Sequence, residues 1–194
     1  AGSTHEGEEE ILFRVLSRLR KENLPVKLIL APRHVERSQK ILKQAEKQGF
    51  QAVLASSIPQ PLLFDILILD VLGELRKIYV LADAVFIGGS LIPHGGQNPV
   101  EPALSARPIL HGPWVFNFQE IYEKLAGEGA SLRVKNEEEL IFALRRILTS
   151  DSERQHLGNQ AFQVLEKLQG ATERNFVYMN QLFEGENRGP AGNL

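Results

Sequence analysis

Residues 88–101, GGSLIPHGGQNPVE, contain four glycines within nine positions. Such a density indicates backbone conformations closed to other residues, or a ligand lying against the main chain. Pro99 is expected at the first position of a helix, which places the Glu101 carboxylate in the first turn. A glycine-rich loop leading into a helix commonly binds phosphate, and a carboxylate there can bind ribose hydroxyls. The stretch favours a nucleotide site over the alternative, a structural glycine turn before an ordinary helix.

The stretch matches neither of two familiar phosphate-binding motifs. It lacks the lysine and hydroxyl residue that follow the second glycine of a Walker loop, and the spacing GxGxxG does not occur after the first predicted strand. The five histidines show no HExxH pattern, and the nucleophile elbow GxSxG is not present. We therefore expect neither a metal site nor a cofactor.

Arg33 and His34 follow a predicted strand at residues 26–30 and precede a predicted helix. A guanidinium beside a helix N-terminus suits a phosphate, because planar side-chain donors and free backbone N–H groups then face the same anion. The alternative is that both are ordinary surface residues of an N-terminal turn. These residues alone favour that alternative.

Asp70, Gly73 and Glu74 lie where the strand at residues 66–69 turns into a helix. Asp70 is expected to cap this helix, and Gly73 lets a ligand approach the backbone. Glu74 is also explained by the helix dipole alone. The cluster is thus a second candidate for ligand contacts.

Three aromatic residues, Trp114, Phe116 and Phe118, follow the next predicted strand end. In one interpretation these rings form the wall of a pocket, and in a second interpretation they only cover the sheet. Asn117 is expected to cap the helix that begins there.

Apolar runs of strand length alternate with segments of helical periodicity, which is typical of an α/β domain with a mainly parallel sheet. The strand candidates are residues 26–30, 52–54, 66–69, 84–87, 108–110 and 131–134. The helix candidates are residues 6–21, 35–48, 73–82, 99–105, 118–126 and 137–148. This order predicts a Rossmann-like sheet of five or six strands with helices on both faces. Because ligands bind beyond the carboxyl ends of such strands, the polar clusters are expected at one edge of the sheet.

The two ends of the chain depart from this pattern. Ser3 is expected to form a capping pair with Glu6, which leaves no room for a strand before the first helix. We therefore expect a truncated first strand and a chain cut from a longer protein. Residues 151–168 and 171–183 predict two helices that wrap back around the sheet or toward a missing partner domain. The domain is thus expected to comprise residues 1–184, and residues 185–194 predict a disordered tail.

Composition and charge limit the number of domains, the binding partners and the compartment that can be expected. A chain of 194 residues with 43% hydrophobic residues suits one folded domain. A formal charge of −2 gives no basic field, so nucleic acid is not an expected partner. The absence of cysteine fits a reducing compartment, and no apolar run is long enough for a membrane helix, so we expect a soluble fragment.

Several motifs, in this order, resemble one family. They are STHEGEE at residues 3–9, PRH at 32–34 with Glu36 and Arg37, GEL at 73–75 with Tyr79 and residues 82–83, GGS at 88–90, NPVEP at 98–102, and GP at 112–113 with Asn117 and Phe118. The chain resembles the C-terminal domain of the 3-deoxy-D-manno-octulosonic acid (Kdo) transferases of lipopolysaccharide synthesis, which have a GT-B fold. Gln97 departs from that family, which often has histidine there, so no imidazole role is expected at this position.

The resemblance implies a CMP-Kdo donor, a lipid A precursor as acceptor, and a full-length enzyme at the cytoplasmic face of the bacterial inner membrane. It also implies that the catalytic base is a glutamate of an N-terminal domain that this chain lacks, together with the membrane anchor and most of the acceptor site. No catalytic residue is then expected here, and the fragment alone is expected to be inactive. Two alternatives are the donor domain of a GT-B enzyme that uses a UDP-sugar, and a nucleotide-binding module without a catalytic partner.

The resemblance also implies which residues contact CMP. They are Pro32, Arg33, Leu72, Gly73, Glu74, Asn98, Pro99, Val100 and Glu101. Further pocket positions are Ser3, His5, Gly88, Gly89, Ser90, Gly96, Gln97 and Asn117. Arg33 is expected to contact the phosphate or the cytosine, Gly73 and Glu74 to supply backbone and polar contacts, and Glu101 to bind the ribose hydroxyls.

Overall fold

The computed structural model describes residues 1–57 and 63–186, with the backbone alone for residues 169–186. The described residues form parallel strands β1 (Gly2–Thr4), β2 (Leu28–Pro32), β3 (Ala52–Leu54), β4 (Ile66–Ile68), β5 (Val85–Ile87), β6 (Ile109–His111) and β7 (Ser131–Arg133). These seven strands make one sheet in the order β3-β4-β2-β1-β5-β6-β7. The predicted α/β class with a mainly parallel sheet is confirmed.

Helices cover both faces of this sheet, as predicted. They are α1 (Glu8–Lys21), α2 (Ser38–Lys47), α3 (Leu75–Tyr79), α4 (Val100–Leu104), α5 (Gln119–Gly127), α6 (Glu137–Thr149) and α7 (Asp151–Glu186). Phe86 packs in one apolar cluster with residues of α1, α2 and α6, whereas its neighbours Val85 and Ile87 pack with α3, α4, α5 and α7. Neighbouring residues of a strand point to opposite faces, so the two clusters lie on opposite sides of the sheet.

The sequence explains why these segments fold as they do. Every residue of β4, β5 and β6 is buried, which suits parallel strands covered on both faces. In α1 the buried positions Leu12, Phe13, Leu16 and Leu19 repeat at helical spacing, so one stripe of this helix packs on the sheet.

The first strand was expected to be truncated, and the structure shows a short strand of three residues at the start of the chain. Residues 2–4 form β1, which lies in the middle of the sheet between β2 and β5. The predicted capping pair of Ser3 and Glu6 is wrong, because α1 begins only at Glu8 and Gly7 occupies its N-cap position. Three small polar residues carry no apolar signal for a strand. Their place in the sheet depends on tertiary contacts, among them the ring of Tyr79, whose hydroxyl would lie 2.2 Å from a Cβ added at Gly2.

The C-terminal segment is one continuous helix, α7, and the prediction of two helices is wrong. A single glycine inside a helix costs only about 1 kcal/mol relative to alanine, so Gly170 does not end it. The expected return of this segment over the domain is confirmed, since α7 packs against α4, α5 and α6. Of the predicted tail, only Gly185 and Glu186 are described, at the end of α7, and residues 187–194 lie outside the described residues. No helix in the described part of the chain is both long and apolar enough to cross a membrane.

The close approach of β5 to β1 can be tested by a substitution at Gly88, the residue directly after β5. A Cβ at this position would lie 2.3 Å from the Ser3 carbonyl oxygen, and both atoms belong to the centre of the sheet. We expect Gly88→Ala to lower the free energy of unfolding by about 3 kcal/mol, because the backbone has little freedom to yield. Urea denaturation measures this loss.

Gly127→Ala is the matched control, since nothing lies within 4 Å of a Cβ added at this last residue of α5. It should change stability by less than about 1 kcal/mol, in the stabilising direction. Equal effects of the two substitutions would contradict the close approach of β5 and β1.

Candidate functional site

Three loops meet at the carboxyl ends of the central strands. The first follows β1 and contains His5, the second follows β2 and contains Arg33, and the third, called the glycine loop below, comprises residues 88–98. The backbone N–H of Arg33 donates to the Thr4 carbonyl at 2.9 Å, and that of Gly88 donates to the Gly2 carbonyl at 2.8 Å. The structure therefore brings the predicted pocket residues of these loops together at one edge of the sheet.

Glu8, the first residue of α1, connects the loop after β1 to the glycine loop. Its side chain is fully buried, and its carboxylate accepts backbone N–H groups of His5 at 3.0 Å, Gly89 at 2.7 Å, Ser90 at 3.0 Å and Leu91 at 3.1 Å. Burial raises the pKa of the Glu8 carboxyl, while these N–H groups act in the opposite direction. The N–H groups that a glycine-rich loop would offer to a phosphate are thus taken by an anion of the protein itself.

Glu9, the next residue, joins α1 to the loop after β2. Arg37 donates to its carboxylate through both terminal nitrogens, at 2.9 and 3.1 Å, and the Thr4 hydroxyl donates to it at 3.0 Å. The Glu9 side chain is only 2% exposed. Two consecutive glutamates at the start of α1 therefore hold two different loops of the site.

Side chains from α5 and its preceding turn hold the glycine loop from outside. The Asn117 amide donates to the carbonyls of His94 at 2.8 Å and Gly96 at 3.3 Å, and the Tyr122 hydroxyl donates to the Gln97 carbonyl at 2.8 Å. The predicted cap at Asn117 is wrong, because α5 begins at residue 119 without a side-chain cap. Gly96 needs its positive φ of 70° to bring its carbonyl to this amide.

Three imidazoles, His5, His34 and His94, lie together above β1 and are called the histidine cluster below. The rings of His5 and His94 stack with centroids 4.5 Å apart, and the His34 ring stands edge-on to His5 at 6.0 Å. The Gln97 amide nitrogen lies 3.3 Å from His5 Nε2. Burial, followed by the nearby charges of His94, His34, Arg37 and Arg33 in that order of size, lowers the pKa of His5 to about 4. His5 is therefore neutral at pH 7, in a region of positive potential.

The remaining predicted contacts lie at the starts of α3 and α4, which pack against each other. Leu72 is 80% exposed, Gly73 has a φ of 83°, and Glu74 pairs with Lys77 at 3.0 Å. Asn98 accepts the N–H of Val100 at 3.0 Å in a local turn, and Pro99 is the N-cap residue of α4 rather than its first residue.

Glu101 is exposed in the first turn of α4, as predicted. Burial, followed by the charge of Glu101, raises the pKa of Tyr79, so this carboxylate lies near α3. The predicted cap at Asp70 is wrong, because α3 begins only at residue 75. Asp70 instead accepts the backbone N–H of Ser56 at 2.9 Å and its hydroxyl, which joins the loops after β3 and β4.

Of the three aromatic residues after β6, two line a cavity and one covers the sheet. Trp114 and Phe116, 45% and 58% exposed, line a cavity of about 300 Å³ together with His111 and Arg133. Phe118 packs on the core instead. A larger cavity of about 570 Å³ lies at the opposite edge of the sheet, where the strands begin, and its lining is mainly aliphatic.

Comparison with known proteins agrees with the sequence motifs. No family model matches the chain. A 3-deoxy-D-manno-octulosonic acid transferase of Haemophilus influenzae is 36% identical over 176 residues, which cover 90% of this chain and 41% of that protein. A second, from Aquifex aeolicus, is 34% identical over 153 residues, which cover 79% of this chain and 42% of that protein.

A solved structure matches as well. The crystal structure of the C-terminal CMP-Kdo binding domain of WaaA from Acinetobacter baumannii superimposes with a TM-score of 0.78 at 29% identity, and the match covers 84% of this chain and 86% of that one. In sequence and in fold, the chain matches the C-terminal domain of Kdo transferases. It spans about two fifths of the length of the two Kdo transferases that it matches.

Three residues contribute to the site although reasoning from residue types assigned them no role: Glu8, Arg37 and His94. The sequence did contain a signal for Glu8 and Glu9. They precede the apolar residues Leu12 and Phe13 by four positions, so they lie on the same buried face of α1. Acidic residues on the buried face of a helix require partners inside the protein. His94 and Arg37 had no such signal, since their partners come from distant parts of the chain.

Glu8→Gln tests the role of the buried carboxylate. Glutamine keeps the volume but replaces one acceptor oxygen by an N–H₂ group, which then faces backbone N–H donors. We expect the free energy of unfolding to fall by about 3 kcal/mol, since buried donors lose their acceptor. Urea denaturation of the variant measures this.

Glu10→Gln, in the same first turn but exposed, controls for the loss of a charge at the helix N-terminus. It should cost no more than about 1 kcal/mol. A loss for Glu8→Gln as small as that of the control would contradict the assigned role.

Proposed function

We propose that this chain binds CMP-Kdo as the donor domain of a Kdo transferase. The observation that carries the proposal is the likeness, at 29% identity and a TM-score of 0.78, to a crystal structure described as a CMP-Kdo binding domain. The geometry of the carboxyl edge supports it, because the loops after β1, β2, β4 and β5 surround the place where open parallel sheets bind ligands.

Each part of CMP has a matching group at this edge. Arg33 binds the phosphate, since its side chain is exposed and forms no ion pair among the described residues. Glu101, at the start of α4, accepts the ribose hydroxyls. Leu72, which is 80% exposed, offers an apolar surface to the cytosine ring, and Gly73 and Glu74 supply the adjoining backbone and polar contacts.

The rest of the enzyme supplies the other half of the reaction. A glutamate of the N-terminal domain removes the proton of the acceptor hydroxyl. Kdo then passes from CMP-Kdo to a lipid A precursor in the cleft between the domains, at the cytoplasmic face of the inner membrane. This chain holds the leaving nucleotide without supplying the base, so it has no transferase activity by itself.

Nucleotide preference separates this proposal from a UDP-sugar enzyme. We expect isothermal titration calorimetry of this chain to give an affinity for CMP at least about tenfold higher than for UDP, a difference of about 1.4 kcal/mol. The physical reason is that a single phosphate beside Arg33 fits a monophosphate donor, and cytosine and uracil present different hydrogen-bonding edges. Tighter binding of UDP would support a UDP-sugar enzyme, and binding of neither nucleotide would remove the donor-domain proposal.

Two substitutions test the assigned contacts. Arg33→Ala and Glu101→Gln should each weaken CMP binding by about tenfold, because each removes a charge-assisted hydrogen bond. Both side chains are exposed, so the thermal midpoint should stay unchanged. Calorimetry and a thermal melt of each variant measure the two effects.

Arg18→Ala and Glu46→Gln are the matched controls. Arg18 in α1 and Glu46 in α2 are both exposed. They lie near the C-terminal ends of these helices, away from the carboxyl edge of the sheet. These controls should bind CMP like the parent chain. If the Arg33 and Glu101 variants also kept the parent affinity, the nucleotide would bind elsewhere.

A further inference from the structure

The proposed contacts to CMP leave the histidine cluster without a role. Its rings lie beside Arg33, whose charge is close enough to affect His5, and they face the open edge of the sheet rather than the core. His34 and His94 are exposed, and His5 is half-buried beneath them. A ligand whose phosphate is bound by Arg33 therefore has the histidine cluster as its next neighbour.

Of the four basic groups that act on His5, two have a carboxylate partner and two have none among the described residues. Arg37 is neutralised by its bidentate contact with Glu9, and His34 lies 3.5 Å from the exposed carboxylate of Glu36. In the described part of the chain neither Arg33 nor His94 forms an ion pair. Glu8, although it lies only three residues after His5, is turned toward backbone N–H groups. The cluster thus offers imidazole and amide N–H groups to an anion.

A metal ion is a poorer candidate for this position. Two of the rings are stacked face to face, an arrangement that does not direct their nitrogens to one point, and the described histidine, aspartate and glutamate side chains form no group of three that could hold a metal. The nearby guanidinium group of Arg33 also opposes a cation.

The chemistry of the donor supplies a fitting anion. Kdo is a sugar acid, and in CMP-Kdo its carboxylate is attached to the carbon that carries the phosphate ester. The negative charge of this donor is therefore divided between the phosphate and the neighbouring carboxylate, whereas CMP carries all of its negative charge on the phosphate. A site for the complete donor needs a second group of donors directly beside the phosphate contact.

We propose that the histidine cluster, with the Gln97 amide, binds the carboxylate of the Kdo sugar while Arg33 binds the adjacent phosphate. This inference rests on the proposed function and deepens it, because it assigns the part of the site that selects a sugar acid. His94 and His5 donate to the carboxylate through ring N–H groups, and the Gln97 side chain fixes the orientation of His5.

Binding of a carboxylate has a consequence for protonation. Without the anion, burial and the charges of His94, His34, Arg37 and Arg33 hold the pKa of His5 at about 4. A bound carboxylate opposes these charges and favours the protonated ring, so the pKa of His5 rises when the donor binds. Glu36 beside His34 and the paired Glu9 are the carboxylates that already face these groups, and they are present in both states.

The decisive test compares CMP-Kdo with CMP on one variant. His94→Gln removes an exposed ring without disturbing the core, and His156→Gln, at an exposed position of α7, is its matched control. Calorimetry with freshly prepared CMP-Kdo should show about tenfold weaker binding to His94→Gln than to the parent chain, whereas the affinity for CMP should change by less than about twofold. The control should bind both ligands like the parent.

Each other outcome overturns something different. If His94→Gln weakens CMP as much as CMP-Kdo, the cluster binds the phosphate and the carboxylate assignment is wrong. If neither affinity changes, the cluster has no part in donor binding, and the proposed function stands without this inference. If the parent chain binds neither ligand, the proposed function fails and this inference fails with it.

A second measurement uses the parent chain and needs no variant. The ring C–H resonances of His5 followed by NMR against pH report its pKa directly. Saturation with CMP-Kdo should raise that pKa above its value in the CMP complex by at least about one unit, since the added carboxylate favours the protonated ring. Equal pKa values of His5 in the two complexes would overturn the proposal.

Discussion

The carboxylate of Glu8, buried beneath the carboxyl edge of the sheet, accepts four backbone N–H groups from two loops. A buried charge of this kind is tolerated only when its hydrogen-bonding capacity is filled, and here the main chain fills it. The same hydrogen bonds hold the turn after β1 against the glycine loop after β5. Because Glu9 does the same for the loop after β2 through Arg37, the first turn of α1 determines where all three loops lie.

This arrangement decides how the edge can recognise an anion. In many nucleotide-binding folds the N–H groups of a glycine-rich loop bind the phosphate directly. Here those of Gly89, Ser90 and Leu91 bind Glu8, so the recognition of an anion depends on side chains. Arg33 and the histidine cluster are the candidates, and they stand on loops that Glu8 and Glu9 hold in place. The glycines serve the architecture, since Gly88 approaches β1 too closely for any side chain.

The sequence predicted elements whose cause is local and missed those whose cause is distant. Apolar runs of β4 and β5 and the periodic stripe of α1 are visible in the chain itself, so the α/β class could be derived. The strand Gly2–Thr4 could not, because nothing in three small residues indicates their position between two apolar strands. For the site, the strand-end clusters were predictable from the rule that ligands bind at carboxyl ends. The partners of Asp70 and Asn117 were not, because local capping preferences cannot reveal a better partner far away in the chain.

A site that depends on side chains rather than on backbone donors has a different selectivity. Backbone N–H groups bind any anion of suitable size, and their charge does not vary with pH, whereas imidazoles change their charge near neutrality and respond to the ligand itself. Burial, together with the charges of neighbouring imidazoles and guanidinium groups, keeps His5 neutral in the free chain. In the proposed complex, the carboxylate of the sugar acid lies next to the His5 ring and opposes these effects. In the proposed site, a sugar acid is thus distinguished from its nucleotide by where its second negative charge lies rather than by total charge, because the terminal phosphate of CMP itself carries about two charges at pH 7.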